Sequence, residues 1–92
     1  MQHFDNVDKP RHYNLGKIEC IDAIEAATIT LTGIEAVCTA NVMKYLWRWK
    51  EKNGVEDLRK AQWYLGKLIG RAEKESKEAI REKMDYMLDV LG

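Results

Sequence analysis

The sequence predicts an all-α fold, a small bundle of about four helices preceded by an irregular N-terminal arm. Three observations predict it. Apolar residues recur every three or four positions from Ile18 to Leu91. The single proline, Pro10, lies ahead of that stretch, so no ring interrupts it. Helix start and stop signals then divide the stretch into segments.

Residues 1–17 carry no helical periodicity and form the arm, with "RHYNLG" following Pro10. Ile18, Ile21 and Ile24, with Cys20 beside them, set a first helix ending near Ala27. "TITLTG" (28–33) is β-branched and ends in glycine, which reads as a connector with a brief extended stretch. Thr32-Gly33-Ile34-Glu35 has the form of a capping box. The helix it opens gathers Ile34, Val37, Cys38, Val42, Tyr45, Leu46 and Trp49 on one broad face. Asn53-Gly54 stops that helix, and Asn53, with Glu56 three residues on, is placed to cap the next. The third helix turns Leu58, Ala61, Leu65, Leu68, Ile69 and Ala72 inward. Gly66 and Gly70 weaken it and leave room for a close neighbour. A break is expected near Ser76, inside the charged run "RAEKESKE". A fourth helix then follows, striped by Ile80, Met84, Met87, Leu88 and Leu91.

Ninety-two residues make one domain, 1–92, with helices over 18–92. A chain this short buries only roughly 60–65% of its unfolded surface, so self-association is a natural source of extra stability. Fifteen basic residues balance fifteen acidic ones. That excludes strong, sequence-blind DNA binding, which draws on a basic excess. Cys20 and Cys38 sit among apolar neighbours with no CxxC, and His3 and His12 do not complete a zinc pattern, so both thiols read as reduced core residues. No apolar run reaches the roughly 20 residues of a membrane span, and the polar, acidic start "MQHFDNVDKP" does not read as a signal peptide. A cytoplasmic protein is expected.

Chemistry concentrates on the two middle helices. At about 100° per residue, Asn41, Lys44 and Arg48 share one stripe bordering the apolar face. Lys60, Tyr64, Lys67 and Arg71 form another, with Asp57 at its N-terminal end. Facing each other, these flanks would make a cationic groove for phosphate: a planar fork from arginine, point charges from lysine, and an orienting amide. The plainer alternative is that long cations beside a core stripe snorkel over apolar surface. Glu19, Asp22 and Glu25 recur at i, i+3, i+6, a spacing that could face Mg²⁺. The second acidic helix such sites need is missing, so no metal site is assigned. His12-Tyr13, just after Pro10, could stack on a base or staple the arm to the helices. Met43, Trp47 and Trp63 fall outside the buried arcs and read as a subunit contact.

Pro10-x-His12-Tyr13, Gly16-x-Ile18-Glu19-x-Ile21-Asp22, Asn41-x-x-Lys44-Tyr45-Leu46-x-Arg48, Asn53-Gly54 and Asp57-Leu58-x-Lys60-Ala61-x-x-Tyr64-Leu65 together resemble the small phage family called SaV-like. Its members are often labelled nucleotide kinases. The likeness runs from about Lys9 to Ile69. It departs at Ala40, where the family commonly has glycine before the asparagine. The resemblance implies a phage protein of the host cytoplasm that binds a nucleotide, with ATP and Mg²⁺ as candidate companions. His12, Tyr13, Asn41, Lys44, Arg48, Asp57, Lys60 and Tyr64 become the candidate ligand-binding residues. No glycine-rich phosphate loop is present, so a kinase on this chain would position nucleotides by side chains alone, at a subunit interface of a homo-oligomer. Two competing readings are a non-catalytic sponge for a nucleotide-derived bacterial immune signal and a host-protein interaction module. No catalytic residue is assigned.

Overall fold

The computed structural model describes residues 16–92, and the expected arm falls almost wholly outside them. Among the described residues there are three α-helices and no strand: α1 (Cys20–Thr28), α2 (Gly33–Arg48) and α3 (Val55–Leu91). A single 3₁₀ turn, Trp49–Glu51, follows α2. The class is all-α, as expected, but the helix count is three.

The expected break near Ser76 is absent; α3 runs unbroken for 37 residues, about 55 Å at 1.5 Å per residue. Physical chemistry accounts for this. "RAEKESKEAIREK" is built almost wholly of Ala, Glu, Lys and Arg, the strongest helix formers. Serine alone lowers propensity by a few tenths of a kcal/mol and cannot stop such a run. Glu73 and Lys77 add a favourably oriented i,i+4 pair. A dense charge run is a solvated helix here, not a turn.

Helix α1 begins two residues later than expected, behind an extended Glu19. Its inward side is Cys20, Ala23, Ile24 and Thr28, while Ile18 and Ile21 face solvent. The Thr28 hydroxyl donates back to the Ile24 carbonyl at 2.8 Å, and the Leu31 N–H closes a turn on the Thr28 carbonyl. Thr32 is extended (φ −136°, ψ 160°) and α2 starts at Gly33 as the capping box foresaw, but no side-chain cap bond forms. Glu35 instead reaches Arg71 of α3, 3.8 Å away.

Helices α2 and α3 run antiparallel, joined by the short segment between them. Arg48 meets Asp57 at one end of this hairpin and Glu35 meets Arg71 at the other. That register leaves α2 opposite only the first half of α3. The seam follows Cys38, Val42 and Tyr45 on α2 with Trp49 just past its end, and Asp57, Ala61, Tyr64 and Leu68 on α3, both in 4-3-4 steps. Gly54, the N-cap of α3, holds φ +57° and ψ −126°, a region that side-chain-bearing residues rarely enter. Asn53 therefore stands one residue outside the cap position the sequence assigned to it.

The expected burial of broad apolar faces is not met among the described residues. Of these, only Cys20, Cys38 and Ala61 are buried apolar residues. Ile34, Val37, Leu46, Leu65 and Ile69 are all exposed, and so is every residue from Ile69 onward. Three helices, one of them twice the length its partner can cover, cannot enclose both faces of the seam. The chain is correspondingly elongated, 71 × 28 × 18 Å, with a radius of gyration of 19.3 Å against about 12 Å for a compact domain of this length. Neither Gly66 nor Gly70 meets a close neighbour among the described residues. Both cysteines are free and buried. Burial pushes the Cys20 thiol up, and the nearby Lys44 charge only partly offsets it. Alkylation with iodoacetamide should therefore be slow on the native protein and rapid in denaturant; fast native labelling of Cys20 would contradict this packing.

Candidate functional site

The hairpin end where α2 gives way to α3 brings together most of the candidate residues. Its foundation is a buried ion pair. Asp57 is fully buried (0% exposed) and Arg48 nearly so (9%). Arg48 Nε donates to Asp57 Oδ2 and Nη2 to Oδ1, each at 3.3 Å, a two-pronged guanidinium–carboxylate contact. Asn53 adds its backbone N–H to Oδ2 (3.4 Å) and its side-chain amide to Oδ1 (3.2 Å). Burial by itself would raise the Asp57 carboxyl. The hydrogen bonds from Arg48 and Asn53, with the guanidinium charge, outweigh it and hold the group below its ordinary value. Helix dipoles favour the same arrangement, since Asp57 lies in the first turn of α3 and Arg48 in the last turn of α2.

Above this staple stands Tyr45. Lys44 Nζ lies 4.7 Å from its ring centroid, the Arg48 guanidinium carbon 5.0 Å, and Lys60 Nζ 5.6 Å. Cations from both helices thus converge on one aromatic ring, at a spacing where ring–cation attraction is worth about 0.5–1 kcal/mol per exposed contact. Tyr64 stacks on Tyr45 with centroids 6.1 Å apart and planes inclined by 19°. Trp63 meets Tyr64 edge-on at 5.0 Å, and Lys67 covers Trp63 at 5.7 Å. Lys60 also pairs with Glu56 at 3.2 Å on the open surface, a contact of little energetic weight.

The structure sorts the sequence candidates into groups. Lys44, Arg48, Lys60 and Tyr64 come together. Asp57 joins them as the buried anchor of Arg48, shielded from any ligand. Asn41 lies one helical turn before Tyr45 but turns its amide back onto the Val37 carbonyl at 3.0 Å. The longer stripe does not hold together as one groove: Arg71 goes to Glu35, and Lys67 to Trp63. His12 and Tyr13 lie outside the described residues. Trp63 is exposed, whereas Met43 and Trp47 are half-buried. Among the described residues no three His, Cys, Asp or Glu side chains are grouped as metal ligands, so Glu19, Asp22 and Glu25 do not converge. No described helix is long and apolar enough to cross a membrane.

Tyr45 is the residue that sequence reasoning missed, because its spacing put it on the apolar face. A signal was available. Lys44 and Arg48 flank it at −1 and +3, and a tyrosine at a seam position needs somewhere for its hydroxyl to go.

No curated protein and no solved structure matches this chain. One family model does, over residues 7–66, which takes in α1, α2 and the opening third of α3 and stops short of the distal rod. Matched over more than half its length, the chain belongs to the family described as a protein of unknown function, DUF3310.

Proposed function

We propose that the patch around Tyr45 binds the phosphate of a nucleotide or nucleotide-derived small molecule, and that a contact between copies of the chain through Met43, Trp47 and Trp63 completes the site. The observation that supports this reading is the gathering of Lys44 and Lys60 around the Tyr45 ring, beside the buried Arg48, with Tyr64 stacked on the same ring. Arg48 is held rigidly by Asp57, while Lys44 and Lys60 remain mobile point charges that a phosphate could draw in, displacing Glu56 from Lys60. Tyr64 and Trp63 offer apolar surface for a base or sugar.

Binding without turnover is the reading the side chains favour. Asp57 is ionised, buried and committed to Arg48 and Asn53, so it is not placed to move a proton at the patch. Phosphoryl transfer to a nucleoside monophosphate, with ATP and Mg²⁺ arriving together, is the second reading, favoured by the resemblance to SaV-like phage proteins labelled nucleotide kinases. Either activity would be exercised in the host cytoplasm.

One experiment addresses both. The purified chain is incubated with Mg²⁺, ATP and a panel of nucleoside monophosphates, and the small molecules are quantified before and after denaturation. Nucleotide retained by the protein and released unchanged supports sequestration. Diphosphate in the supernatant supports the kinase. Retention of no nucleotide, with no diphosphate formed, overturns the proposal.

A further inference from the structure

The distal half of α3 carries an apolar stripe with no partner among the described residues. Ile80, Met84, Leu88 and Leu91 are between 57% and 80% exposed, although the helix is continuous. An isolated helix of this length is marginal in water, and helices of this kind gain most of their stability by burying one face against another element. Ile80, Met84, Met87 and Leu91 follow one another in 4-3-4 steps, the spacing of a helix–helix seam.

The charges beside the stripe indicate what covers it. One open groove along this face is lined by Lys77, Ile80, Arg81, Met84, Asp85 and Leu88. Along it the basic Lys77 and Arg81 precede the acidic Asp85, with the apolar Ile80, Met84 and Leu88 beside them. Such a surface is complementary to itself turned end for end. We infer that a second copy of the chain pairs with this rod in antiparallel orientation. Arg81 of each copy faces the partner's Asp85, and the apolar side chains meet between them. Twofold symmetry makes that contact twice, as a self-complementary interface requires. The helix dipoles oppose favourably. Parallel pairing would instead set Lys77 at the seam beside the partner's Lys77. The inference does not depend on nucleotide binding, since the groove lies at the far end of α3 from Tyr45.

The test is sedimentation equilibrium of the full chain and of Arg81→Asp, Asp85→Arg, their 1:1 mixture and the double variant, at low salt. The wild type should self-associate. Each single variant sets like charges together twice and should weaken association at least tenfold. The 1:1 mixture should recover it, because the Asp now at 81 faces the Arg at 85 and the untouched pair stays matched. The double variant should recover it too. A monomeric wild type, single variants that associate as tightly as wild type, or a mixture that behaves as the average of its components would each overturn the antiparallel pair. Nucleotide retention, measured on the same samples, reports on the Tyr45 patch independently.

Discussion

Asp57→Ala is expected to remove most of the stability of this chain. A 92-residue domain commonly has about 5–14 kcal/mol in total, and a core with three buried apolar residues among the described ones puts this one near the bottom of that range. Removing one partner of a buried, hydrogen-bonded ion pair costs about 3–5 kcal/mol, because the other charge is left without compensation. Here the stranded group is the Arg48 guanidinium, and the Asn53 amide and N–H lose their acceptor with it. Urea unfolding followed by tryptophan fluorescence, at fixed protomer concentration, should show the midpoint fall by more than half. A fall equivalent to less than about 1 kcal/mol would mean that the pair is peripheral to the fold, contrary to its burial. Asp57→Asn keeps the shape but turns one donor toward another, and should be intermediate.

The same pair sets an acid limit. The Asp57 carboxyl lies below its ordinary value in the folded chain, so its contribution is full above the unfolded value near 3.8. It is lost as pH falls through the folded value. Wild-type stability should therefore drop in that acid window, and Asp57→Asn should flatten the drop. Glu75 acts in the opposite sense: its hydrogen bond with Glu35, and the repulsion between the two, push its carboxyl up, and its small contribution fades as pH rises.

The second large effect is expected from reversing the charges at Tyr45. Lys44→Glu with Lys60→Glu turns two attractions into two repulsions around the same ligand. Unit charges about 4 Å apart interact by roughly 1 kcal/mol in bulk water and more near a protein surface. Nucleotide affinity should thus fall on the order of 100-fold, read by calorimetry or fluorescence titration. Folding should survive, since neither lysine belongs to the buried pair. Lys52→Glu, exposed and outside the cluster, is the control and should change affinity by less than about threefold, through screened long-range charge alone. Equal losses in the control and the double variant would mean that only net charge matters, and that the patch is not a site.

What could be read in the sequence was local. The 3.6-residue period placed α1, α2 and the first half of α3, Thr32 and Asn53 marked two helix starts to within a residue, and wheel positions set Lys44 beside Arg48 and Lys60 beside Tyr64. These follow from side-chain spacing and backbone sterics, which act within a few residues. The charged run at Ser76 was misread because a solvated helix and a polar turn share a composition; intrinsic propensity separates them.

Which residues are consumed by the fold was not legible. Arg48 and Asp57 look like ligand-binding charges until the hairpin sets them 3.3 Å apart and out of water. Tyr45 looks like core until α3 brings Lys60 and Tyr64 to its ring. Sequence alone determined the helices and the faces that carry charge, because periodicity is a property of one chain segment. Only tertiary structure decided which charges neutralise each other and which apolar faces stay open, because burial depends on how far one helix extends past the next.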